Sequence, residues 1–265
     1  MRPVLSFLIF FDLLATLGCA GGTQSLDAVP SDRIVCFVPG VAGDSGLYGG
    51  LKKALVESGA TDLRVFTWGA PPPLFALNFQ TTSIHDKAEQ QLADRLTQWL
   101  HQRPGMRVDL IGHSAGGGVI LGALRRLGEG DAVDHVVLLS PSVSPGYDLA
   151  PPLRRVRVRL DLFWSDRDTF FLKWRTGTFG TYDNVKTPAA GNMGFHPTTP
   201  LPPELASRLV QHPYGPQWES LGNAGGHDGS VAHDFVRQVV TPLLNAPAPS
   251  PAAATAPVTS PGAGK

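Results

Sequence analysis

Short apolar runs punctuate the chain: IVCFV at 34–38, LRVFTW at 63–68, VDLIG at 108–112, HVVLLS at 135–140, VRVRLDLFW at 156–164 and WESLG at 218–222. Runs of this length, rich in Val, Leu and aromatic residues, predict strands of a sheet covered on both sides. The segments between them carry a helical period instead. From Ile84 to Leu100, the residues Ala88, Leu92, Leu96 and Leu100 recur every four positions among Asp, Glu, Gln and Arg. That spacing predicts an amphipathic helix, ended by Pro104-Gly105. Leu47 to Glu57, Val119 to Leu127 and Phe235 to Leu244 predict three more helices. Strand and helix in alternation predict an α/β fold, a mainly parallel sheet flanked by helices on both faces.

The two ends break this pattern. Residues 1–19 combine a basic Arg2, an apolar stretch from Val4 to Leu17 and small residues around Cys19, the layout of a secretory signal peptide. The apolar stretch is too short to span a bilayer comfortably, and Asp12 interrupts it. Leu17-Gly18-Cys19-Ala20 resembles a bacterial lipobox, which implies lipidation of Cys19 and attachment of an exported protein to a membrane. The expected address is therefore the cell envelope or the extracellular space. Residues 20–31 form a linker, and the Pro/Ala-rich tail at 245–265 has no periodic apolar face with which to offset its ordering entropy. The tail is expected to be disordered, which leaves 32–244 as the globular domain.

Composition removes several classes of function. With 22 basic and 22 acidic residues the formal net charge is zero, and no basic block supplies the electrostatic footprint of a nucleic-acid binder. Two cysteines cannot build a disulfide framework, and Cys36, inside IVCFV, is expected to pack as a buried, inert thiol. No metal site and no organic cofactor are expected.

The chemistry centres on Gly112-His113-Ser114-Ala115-Gly116, which satisfies G-x-S-x-G. It follows a predicted strand and opens a helical pattern, the place where a sharp turn pushes a serine out above a sheet. Such a turn is crowded, so small neighbours are a steric requirement. An acyl-transfer serine needs a base and a carboxylate that orients the base. His227, in the loop NAGGHDGS, is the favoured base, with His233 the alternative. For the carboxylate, DLFWSDRD offers Asp168 first and Asp166 second, and Asp183 in GTYDN is a third choice. Two backbone amides must receive the oxyanion. Ala115 supplies one, and Val41, in the VPGVAG loop after the first strand, supplies the other. That loop lacks the G-K-[ST] ending of a phosphate-binding loop. Trp68, Phe75, Phe79, Phe170, Phe171 and Trp174 are candidates to line an apolar acyl pocket.

The elbow GHSAGG, the early VPGVAG loop and the chain order Ser114, Asp168, His227 together resemble the α/β-hydrolase superfamily of lipases and esterases. The resemblance implies Ser114 as nucleophile, His227 as general base, Asp168 as orienting acid, and the Val41 and Ala115 amides as oxyanion hole. Two departures are visible: Pro39-Gly40 stands where relatives often have His-Gly, and Ser165-Asp166-Arg167-Asp168 where G-x-x-D is usual. The expected activity is hydrolysis of a small-molecule carboxylic ester through an acyl-enzyme intermediate. A thioesterase, amidase or acyltransferase would use the same residues. A catalytically silent scaffold binding an envelope partner is the rival outside enzymes.

Overall fold

The computed structural model describes residues 32–70, 74–79 and 81–247. The signal-peptide, lipidation and linker expectations at 1–31, Cys19 included, lie outside the described residues, as does the tail from 248 onward. Six strands form one sheet: β1 (Arg33–Val38), β2 (Leu63–Val65), β3 (Arg107–His113), β4 (Val133–Leu139), β5 (Val156–Trp164) and β6 (Leu209–Pro213). Their spatial order is β2-β1-β3-β4-β5-β6, and every neighbouring pair is parallel. Because successive side chains on a strand point to opposite faces, each apolar run feeds two cores. Ile34, Cys36, Val38, Leu110, Val136 and Leu138 face one side, where α2 (Thr82–Gln102) and α3 (Ala115–Arg126) bury Leu92, Leu96, Ile120 and Leu124. Val35, Phe37, Ile111, Val137 and Leu139 face the other. There α1 (Gly49–Glu57) supplies Leu51 and Leu55. Three consecutive helical pieces, His233–Phe235, Val236–Val240 and Thr241–Leu243, supply Phe235, Val236 and Val240.

Two predicted strands change. WESLG is not a strand: Pro216–Leu221 is a 3-10 helix, stopped by Gly222 at φ 83°. Trp218 and Leu221, three apart, turn the same way and pack on the second core. The sixth strand is instead LVQHP, a half-exposed edge strand whose last residue, Pro213, is tolerated because an edge position asks less of the backbone N–H. LRVFTW pairs as a strand only over Leu63–Val65, although the Phe66 amide still donates to the Phe37 carbonyl at 2.8 Å. The helix predicted to begin at Val119 begins at Ala115, directly behind the serine, so the three glycines 116–118 are helical.

The chain stays docked past Leu244. Arg33 donates to the Asn245 side chain and the Leu244 carbonyl, and Arg107 donates to the same carbonyl at 2.7 Å. The His135 ring bridges buried Asp109 and the Ala246 carbonyl, at 2.9 and 3.0 Å. No helix among the described residues is long and apolar enough to cross a membrane.

Candidate active site

All six strands point their C-terminal ends to one edge of the sheet, and the loops leaving that edge build the site. β3 runs into Ser114, whose φ of 56° and ψ of −126° fall in a region that side-chain-bearing residues avoid. The turn is held by its own backbone. The Ser114 amide donates to the Leu139 carbonyl at 3.0 Å, and the Ser114 carbonyl accepts from Gly117 at 3.1 Å and Ser142 at 3.2 Å. Close packing explains the glycine at 116: a methyl group there would run into the Val38 carbonyl of β1. On the other side, Gly40 approaches so near that a Cβ would stand 3.2 Å from the Ser114 Cβ.

Asp168 and His227 are brought together. The Asp168 carboxyl, only 3% exposed, accepts from His227 Nδ1 at 2.6 Å and from the Leu172 amide at 3.2 Å. With the proton on Nδ1, His227 Nε2 carries a lone pair. Asn192, in the short helix Ala190–Met193, fixes the acid's loop by donating to the carbonyls of Ser165 and Asp168 at 3.0 and 3.1 Å. His227 lies against the elbow: its ring centroid is 4.8 Å from that of His113, and its carbonyl is 3.1 Å from His113 Nε2. Phe171, 42% exposed, stacks over the His227 ring at 4.8 Å.

Two of the three alternative residues are occupied elsewhere. Asp183 accepts from the Ser144 amide and hydroxyl and from the Thr181 hydroxyl, which makes it a loop clamp. Asp166 is exposed. His233 sits between Glu57 and Asp234 at 2.8 and 2.9 Å, and those carboxylates hold it above the ordinary histidine range.

The loop after β1 is pinned group by group. Trp68 Nε1 donates to the Pro39 carbonyl at 2.8 Å, and the Gly40 amide donates to the Tyr48 hydroxyl at 3.0 Å. The Gly40 carbonyl accepts from Gly43 at 3.0 Å, and the Val41 carbonyl accepts from Asn78 Nδ2 at 2.9 Å. The Val41 and Ala115 amides have no acceptor among the described residues. Trp68 is thus a buried brace for this loop, and it also lines a cavity of about 270 Å³ with Ala42, Asp44 and Ala70. The side chains of Phe75, Phe170 and Trp174 lie outside the described residues.

Tyr48, Asn78, His113 and Asn192 escape a reading of the sequence, since each acts through partners far away in the chain. His113 is fully buried, and burial together with neighbouring His227 lowers its pKa to about 3, so it stays neutral. His85 is buried in the first turn of α2 and stacks on Tyr182 at 4.0 Å. Cys36 is buried in β1, and desolvation pushes its thiol up to about 12, which leaves it inert. His113, His227 and Asp228 bring one donor atom each within 4.8 Å of one another. Both His113 nitrogens are held by protein groups, however, so the trio lacks three free ligands of the kind zinc takes.

Residues 31–169, more than half of the chain, match the model of a family described as alpha/beta hydrolase of unknown function (DUF900). The chain belongs to this α/β-hydrolase family. The matched span holds the elbow, the loop after β1 and Asp168, and His227 lies beyond it. No curated protein sequence matches this hydrolase. Among solved structures it is similar to a lipase-esterase related protein from Clostridium acetobutylicum (13% identity, 82% of this chain and 94% of that one, TM-score 0.48). It is also similar to Aspergillus fumigatus lipase B (15% identity, 83% of this chain and 54% of that one, TM-score 0.47). A predicted CIB-like hydrolase from Thermoplasma acidophilum is a third (16% identity, 83% and 90%, TM-score 0.46).

Proposed function

We propose that this α/β hydrolase is a serine esterase that works through an acyl-enzyme. The observation that carries the reading is the 2.6 Å pairing of buried Asp168 with His227 Nδ1 beside the strained Ser114 elbow. His227 Nε2 accepts the Ser114 proton as Oγ attacks the ester carbonyl, and Asp168 steadies the imidazolium that forms. The Val41 and Ala115 amides receive the oxyanion, and removing one such donor typically raises a barrier by about 3 kcal/mol. Collapse of the tetrahedral intermediate passes the proton from His227 to the leaving alcohol. Water then repeats the sequence on the acyl-enzyme, with His227 again as base and Ser114 as leaving group. The apolar face of Phe171 over the His227 ring favours an ester flanked by carbon chains over a charged acyl donor.

Fluorophosphonate labelling and hydrolysis of p-nitrophenyl butyrate test this. Wild type is expected to label and turn over, Ser114→Ala to do neither, and Asp168→Asn to lose about 10³- to 10⁴-fold in kcat. Asp166→Asn should keep wild-type rates. Folded wild-type protein that does not label would leave a silent binding scaffold as the better reading, and equal losses at the two aspartates would refute the acid. Export and lipidation of Cys19 are part of the proposal, and mass spectrometry of the mature N-terminus reads both.

A further inference from the structure

The fold joins the two halves of the site through a chain of hydrogen bonds, two buried and one part-buried, that the chemistry above does not use. The His227 carbonyl can only accept, so the 3.1 Å bond from His113 requires the proton on His113 Nε2. His113 Nδ1 is then bare and must accept from the Tyr48 hydroxyl at 3.0 Å. With its proton so committed, the Tyr48 oxygen accepts the Gly40 amide at 3.0 Å. Each step has one consistent direction: Gly40 N–H to Tyr48 O–H to His113 Nδ1, and His113 Nε2–H to the His227 carbonyl. Tyr48 is 3% exposed and His113 1% exposed, so water does not compete for these groups.

We propose that Tyr48 and His113 are positioning residues, a brace that fixes the distance between the Val41 amide and the His227 base. The inference rests on the esterase reading, since it assigns the brace to that site. One end grips the amide next to Val41, and the other grips the backbone of the base itself. The middle is the residue that precedes the nucleophile, stacked edge-on against Tyr48 with ring centroids 5.6 Å apart.

The full-length chain, with fluorophosphonate and p-nitrophenyl butyrate as probes, decides the matter. Tyr48→Phe keeps the ring against Phe37, 4.8 Å away, and removes the hydroxyl alone. The expected result is a kcat lower by about 10- to 100-fold, with KM held within about twofold and labelling slowed in parallel. His113→Gln keeps a donor near the position of Nε2 and should recover part of the rate that His113→Ala loses. Nitrogen NMR of histidine-labelled wild type should show His113 protonated on Nε2 and bare on Nδ1, with the Nδ1 resonance shifted in Tyr48→Phe. A His113 protonated on Nδ1 overturns the brace even where a variant fails to fold. So does a folded Tyr48→Phe enzyme of wild-type kcat, or a glutamine that does no better than alanine. Wild type that neither labels nor turns over removes the esterase reading itself, and the brace with it, whatever the tautomer.

Discussion

At Ser114 the chain holds a serine where a glycine would sit more easily. A residue with a Cβ at φ 56°, ψ −126° costs on the order of 1–3 kcal/mol, which the surrounding hydrogen bonds and packing must offset. Ser114→Gly should therefore raise stability by about 1 kcal/mol while abolishing labelling. Differential scanning calorimetry would read this as a Tm increase of roughly 2–4 °C for a chain of this size. An unchanged or lower Tm would mean that the elbow stores no strain. Ser114 was legible because its motif has a steric logic visible in small neighbours. Asp168 was legible because it follows an apolar strand, whereas the segment before His227 is a helical turn, so His227 was marked only by its glycine-rich loop and its place last in the order the chemistry requires. Tyr48 and Asn78 were not, because a hydroxyl or amide that serves a loop through a tertiary contact leaves no local pattern.

Between elements, the decisive contact is the close approach of α3 to β1. Gly116 lets the first turn of α3 lie against the Val38 carbonyl, and a methyl group cannot be absorbed there by rotation of a side chain, because the obstacle is backbone. Gly116→Ala is expected to cost about 3 kcal/mol, the upper end for an overpacked core, and to displace the Ala115 amide enough to slow labelling. Urea denaturation beside the labelling rate checks both effects. The central strands could be read from their apolar runs because both of their faces are buried. The edge could not. LVQHP in β6 is held by specific polar and aromatic partners, His212 stacking on Phe163 at 4.6 Å and bonding Asp161 at 2.7 Å. WESLG misleads because its apolar residues were read as a run: Trp218 and Leu221 share a face at a spacing of three, which a helical turn satisfies and a strand, alternating at every residue, does not.

Across the whole molecule, one buried imidazole contributes to the response to acid. His113 has a folded pKa near 3 against an ordinary 6.5, so between those values the unfolded chain binds a proton that the folded chain refuses. Its contribution is intact above pH 6.5 and is lost as pH falls toward 3, at about 1.4 kcal/mol per unit. Urea unfolding at pH 7 and pH 5 should show a loss of about 2 kcal/mol from this source, and His113→Gln should remove that part of the slope. The raised pKa of His233 has the opposite sign, but that ring is only half-buried and solvent screens it. A wild type equally stable at both values would contradict a neutral, buried His113.

The parallel sheet also decides which way the molecule faces. Arg33 opens β1 and touches Asn245, so the first strand and the last docked residues meet at the edge where the strands begin. Ser114 lies at the edge where they end. Cargo fused beyond either end of this domain, or a support to which either end is coupled, joins the body on the side remote from the nucleophile. A short tether at either end would thus leave the mouth of the site turned outward, toward whatever diffuses past.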